Sequence, residues 1–170
     1  MFIFNEQPEL ISLLLERIPD LSQITLLVRY KRESLSTITC ILINIIIMNY
    51  PETSPDFMKA GMTSDLIYGV KNNIRVASEV MTIFSMISNI KNTVQKQLIS
   101  QKWIDIADNC IYSLVNDERI IALISDSMKL QHITVIQPLL DLLGNIVSST
   151  DSNIECELIK IPQFKDMLKF

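Results

Sequence analysis

Three long apolar stretches of this chain each carry an asparagine near the C-terminal end, at Asn44, Asn89 and Asn145. A carboxamide set in apolar surroundings is costly unless its donors and acceptor find partners. The three amides therefore constrain whatever packs beside these stretches. Each one ties its helix to a neighbouring turn or is presented to the backbone of another chain.

The stretches read as helices. Only three glycines occur among 170 residues, Gly61, Gly69 and Gly144, which leaves little material for tight hairpins. Apolar residues recur at helical spacing in Glu9 to Arg17 and Leu21 to Tyr30, separated by a break at Pro19. A longer apolar-rich helix is expected from Ser34 to Tyr50, stopped by Pro51. Ser54 is expected to cap a short helix with Pro55 at its first position, and Gly61 to close it. Thr63 to Val70 follows, then a polar turn at Lys71-Asn72-Asn73, then a long helix from Ile74 to Ile90. Further on, His132 to Ser148 is the next long helix. Asn44 lies in the run Ile41 to Ile47, which is apolar on every side, so deep burial is expected for it.

The order short, medium, long repeats, with Asn44 and Asn89 separated by 45 residues. A period in the forties with two or three helices per unit marks armadillo or HEAT arrays. The next interval, from Asn89 to Asn145, is 56 residues. Either one unit is stretched, with Trp103 to Leu114 as its middle helix and Asp117 to Leu130 as an extra one, or two units are fused. In the fused case Asp108 to Val115 is the remnant of a long helix and Asp117 to Ser125 starts a new unit. The expected fold class is all-α, an armadillo-like right-handed solenoid of about three and a half repeats. It forms a single domain over 1–170, with approximate units 5–50, 51–90, an irregular 91–149 and an incomplete 150–170. An array ending there exposes the apolar side of its last helices to a partner or calls for a cap.

Composition narrows the function classes. A net charge of -4 gives no global attraction for nucleic acid, and Arg29, Lys31 and Arg32 read as a solvated helix end. Cys40, Cys110 and Cys156 are odd in number and widely separated, as reduced core thiols are. Met1-Phe2-Ile3-Phe4 has neither the basic region nor the apolar length of a signal peptide, and Ile41 to Met48 is too short to span a membrane. No Gly-rich phosphate loop, paired metal motif or Ser or Cys with a partner His is present. His132, the only histidine, reads as a surface residue at a helix start, Trp103 as core packing at a repeat junction, and Met81 and Met86 as core fill. A non-enzymatic protein without cofactor or metal is expected.

The block Pro138, Gly144-Asn145-Ile146-Val147, Ser148-Ser149 and Thr150-Asp151 resembles the end of a repeat in importin-alpha (karyopherin alpha), the armadillo adaptor of nuclear import. Ile87-Ser88-Asn89-Ile90 resembles that family's Trp-x-x-Ser-Asn-Ile helix, and Phe57-Met58-Lys59-Ala60-Gly61 its short first helix. Asp108-Asn109-Cys110 and Asn116 to Ile120 are similar to two further family segments. Weak similarity covers roughly 20 to 165, and the 135–151 block is its most specific part.

The resemblance implies a protein-binding adaptor that recognises extended basic segments, of the nuclear-localisation type, and that is found in cytoplasm and nucleus. Asn89, Asn145 and Asn44 would clamp the N–H and C=O of a bound peptide. The family's aromatic positions, one turn earlier, are Cys40, Ser85 and Asp141 here. Each lost aromatic slot removes roughly 0.5–2 kcal/mol of cation–π attraction, while Asp141 can attract a Lys or Arg. The candidate peptide-binding residues are therefore Asn89, Asn145, Asn44, Asp141 and Ser85, with reduced signal affinity. The family's basic N-terminal segment is absent, so recruitment of importin-beta by that route is not expected. The alternative is an armadillo scaffold, a protein-interaction module without transport activity. No nucleic acid or membrane insertion is expected.

Overall fold

The computed structural model describes residues 8–72, 76–89, 110, 113–114, 117–128 and 132–149. Among them the chain is all-helical. Helix α1 is Pro8–Arg17, and α2, Ser22–Thr25, tightens directly into a 3-10 turn, Leu26–Arg29. Helix α3 is Glu33–Asn49. A second 3-10 turn, Pro51–Thr53, leads into α4, Ser54–Lys59, followed by α5, Met62–Asn72, and α6, Ala77–Ser88. Helices α7, Glu118–Met128, and α8, Ile133–Ser149, complete the described chain.

The long helices carry the packing. Helix α6 lies between α3 and α8, touching both extensively, while the first 3-10 turn, α5 and α7 pack respectively against α3, α6 and α8. The turn also meets α5, and α5 meets α7. One apolar cluster joins the two sets, with Ile43, Ile46 and Ile47 of α3, Val80, Phe84 and Ile87 of α6, and Leu139, Leu142 and Ile146 of α8 all buried. Met81 is buried among them and Met86 packs at the cluster's edge, as expected of core fill.

Several local expectations are corrected. Ser54 is no helix cap: Pro51 starts the 3-10 turn early, so Ser54 already has helical φ and ψ of -57° and -44°, and its buried Oγ has no partner among the described residues. Lys71 and Asn72 belong to the last turn of α5, where the Lys71 charge favours the helix C-terminus. Helix α3 is not buried on every side, since Ile38 is 64 % and Met48 57 % exposed, and Asn44 is half-buried rather than deeply buried. Gly61 closes α4 as expected, with φ of +88°, and its N–H reaches Met58 O at 3.1 Å. Helix α7 begins at a cap: Asp117 Oδ1 accepts the Arg119 N–H at 3.0 Å, and the Arg119 guanidinium pairs with the same carboxylate. That pairing holds the Asp117 carboxyl below its ordinary range. His132 is exposed where α8 begins. Trp103, Cys156 and the incomplete unit 150–170 lie outside the described residues.

The join between the first 3-10 turn and α5 depends on a glycine. A Cβ on Gly69 would stand 2.6 Å from Val28 Cγ1 and 3.2 Å from the Val28 carbonyl oxygen, and Val28 is buried and stiff. Beside this contact, Arg29 pairs through Nε with the buried Asp65 carboxylate, and its guanidinium carbon lies 5.2 Å from the Tyr68 ring centroid. Arg29 is therefore a tie between helices and not simply part of a solvated basic end. The buried hydroxyl of Ser36 holds the same turn from α3, donating to the carbonyl of Val28 at 2.9 Å or of Tyr30 at 2.7 Å. Gly69→Ala is expected to cost about 1–3 kcal/mol through overpacking at Val28, read as a lowered denaturation midpoint. The paired change Gly69→Ala with Val28→Ala should recover part of the loss from the Gly69 change.

Candidate functional site

The site is built along the seam between α6 and α8, and proline chemistry fixes its start. Pro138 lies inside α8 and has no N–H, so the Thr134 carbonyl one turn earlier lacks its usual helical donor. The Ser78 hydroxyl of α6 supplies the bond instead, at 2.6 Å to Thr134 O. Eleven residues further along α8, Asn145 Nδ2 donates to the Ser85 carbonyl at 3.1 Å, with Ser85 Oγ at 3.4 Å. The starts of the two helices are thus bonded to each other and so are their later turns, which makes α6 and α8 run in parallel.

The Ser85 carbonyl is a crowded acceptor. Besides Asn145 it receives the Asn89 N–H at 3.0 Å and the Ser88 hydroxyl at 2.7 Å. A carbonyl oxygen has two lone pairs, so three donors converge on one atom at the end of α6. Asn89 forms the C-cap of that helix and its side chain is exposed. Asp141, one turn before Asn145, is also exposed and accepts a bond from Gln137 Nε2 at 3.3 Å. Ser85, Asn89, Asp141 and Asn145 are therefore brought together on one seam.

Asn44 belongs to the opposite flank of α6. Its Nδ2 donates to Glu79 Oε2 at 3.2 Å and to Glu79 O at 3.4 Å, linking α3 to α6. Burial raises the Glu79 carboxyl pKa, with the Asn44 bond working in the opposite sense. Cys40, one turn before Asn44, is fully buried, and burial together with the Glu79 charge pushes its thiol up to about 12. Burial likewise pushes the Cys110 thiol up to about 11. Both thiols stay protonated near neutral pH, so neither is an activated nucleophile. Among the described residues no group of three His, Cys, Asp or Glu side chains could hold a metal ion.

Sequence reasoning identified the amides and Ser85 but missed two residues of α6: Glu79, the partner of Asn44, and Ser78, the partner of the Thr134 carbonyl. Ser78 and Glu79 lie in Val76-Ala77-Ser78-Glu79, which carries no motif of its own. Pro138 was the available signal for Ser78, because a proline within a long helix implies an unpaired carbonyl four residues earlier and hence a donor from elsewhere.

Ser78→Ala is expected to lower stability by about 1 kcal/mol in the wild type, and by clearly less in a Pro138→Ala background, where the restored N–H can bond Thr134 O. Chemical denaturation of the four proteins in this cycle measures the coupling. Asn145→Ala is expected to cost about 1 kcal/mol as well, because it removes a bond that joins two helices.

Comparison of the chain with protein-family models, with curated proteins and with solved structures gives no significant match.

Proposed function

We propose that this protein is an armadillo-like helical array, similar to a divergent part of importin-alpha, that recognises an extended basic protein segment along the α6–α8 seam. The observation that carries the reading is that α6 packs against both α3 and α8. Each of these helices bears an asparagine with a candidate slot residue one turn before it: Cys40 before Asn44, Ser85 before Asn89, and Asp141 before Asn145. A row of equivalent helices backed by shorter ones is what a stacked array needs to bury a continuous core. The direct packing of α8 on α6 favours one stretched unit over two fused ones, with α7 falling within its extra helix, Asp117 to Leu130.

Within this reading the residues divide by role. Asn44 and Asn145 hold adjacent helices through Nδ2, and Ser85 receives one of those bonds. Asn89 offers a carboxamide that can accept from a peptide N–H and donate to a peptide C=O. Asp141 attracts a Lys or Arg side chain. An exposed ion pair contributes only about 0–1 kcal/mol and is screened by salt. With Cys40 buried and no aromatic at the three slot positions, binding is weak and salt-dependent, and nuclear import by a high-affinity signal is not the expected use.

A scaffold role is the second reading, and one observation favours it. Ile133 is 70 % and Leu140 54 % exposed on α8, so this helix presents apolar surface as well as Asp141. Titration with a Lys-rich peptide separates the two. The adaptor reading expects saturable binding that weakens several-fold on Asn89→Ala and further on Asp141→Lys, which replaces attraction by repulsion. Equal affinity of wild type and Asp141→Lys, or no binding of any basic peptide, contradicts it and leaves the scaffold.

A further inference from the structure

The carboxamide of Asn44 is satisfied on one side only. Nδ2 has two acceptors on Glu79, whereas Oδ1 is buried with no partner among the described residues. An ionised carboxylate offers acceptors alone, while its protonated form has an O–H to donate. The O-to-N span of a carboxamide nearly equals the O-to-O span of a carboxyl group, so the two groups can pair through two parallel bonds. We infer that the α3–α6 seam is a proton-operated latch, in which a proton from solvent on Glu79 completes an acid–amide pair with Asn44. Asn44 Nδ2 then donates to one carboxyl oxygen, and the O–H on the other donates to Asn44 Oδ1.

The surroundings favour this use of Glu79. Its carboxyl pKa is raised by burial. From α3, Cys40 faces it as a neutral thiol, since that thiol is pushed up to about 12. On the other elements packed against α6, the charged or titratable groups are Asp65, Tyr68 and Lys71 of α5 and Asp141 of α8, with His132 preceding α8; none of these contributes to the Glu79 shift. A carboxyl whose folded-state pKa lies above its unfolded value binds protons more readily when folded. Stability therefore rises as pH falls through the folded pKa, reaches its full gain below the ordinary value of 4.5, and is lost as pH rises again.

Glu79→Gln supplies the completed pair at every pH, because its Oε1 can accept from Asn44 Nδ2 and its Nε2 can donate to Asn44 Oδ1. The denaturation midpoints of the full chain and of E79Q are compared between about pH 8 and about pH 5. The latch predicts that E79Q is the more stable near pH 8 and that the difference shrinks toward pH 5; a difference that does not change with pH overturns it. Carbon-13 NMR of the wild type tests the pairing whether or not E79Q folds. The Glu79 carboxyl carbon and the Asn44 amide carbon should move together, with one midpoint above 4.5. An Asn44 carbon that stays still while Glu79 titrates, or a midpoint at or below that value, refutes the latch.

Discussion

Helix α6 is held on both flanks by polar bonds that form in one register only. On one side Ser78 meets a carbonyl that Pro138 has left without its helical donor, and Asn145 meets the Ser85 carbonyl. On the other side Asn44 meets Glu79. Apolar surface alone would let these helices slide, because hydrophobic attraction is non-directional. A hydrogen bond to a buried or half-buried group is directional and expensive to leave unmade. The polar ties therefore choose among the arrangements that the Ile- and Leu-rich faces would tolerate, and the short helices pack behind the row so chosen.

That division of labour bears on function. An amide engaged between helices is held in place, which lowers the entropy lost when a ligand meets the surface beside it. The same engagement reduces the hydrogen bonds it can offer to that ligand. Asn145 and Asn44 illustrate the second effect, and in the proposed reading the exposed Asn89 and Asp141 border these fixed amides. The surface that results is polar, acidic at Asp141 and bordered by the exposed Leu140. In the proposed reading such a surface serves weak, electrostatically steered recognition rather than tight anchoring in aromatic slots.

Much of the helical plan was legible in the sequence. The breaks at Pro19 and Pro51, the glycine closure at Gly61 and the long helices around Asn44, Asn89 and Asn145 follow from local chemistry, where proline and glycine act on their own backbone. Ser54 was misread because capping depends on where a helix starts, and Pro51 moved that start by several residues. Arg29 was misread for a different reason. Its partner Asp65 is 36 residues away, and the close approach that joins them requires Gly69 to sit against Val28. The candidate site divides in the same way. The i and i+4 spacing of Asp141 with Asn145 could be read directly, whereas the bond from Asn145 to Ser85 spans 60 residues and depends on how α8 lies on α6.

The register of α8 on α6 rests on the Asn145 amide as a fixed bond between them. NMR observation of its side-chain NH2 group tests this most directly. A bonded amide gives slow exchange with solvent, a shifted pair of amide proton signals and through-space contacts from them to Ser85. Rapid exchange, signals like those of a free asparagine and no contact with α6 would contradict it.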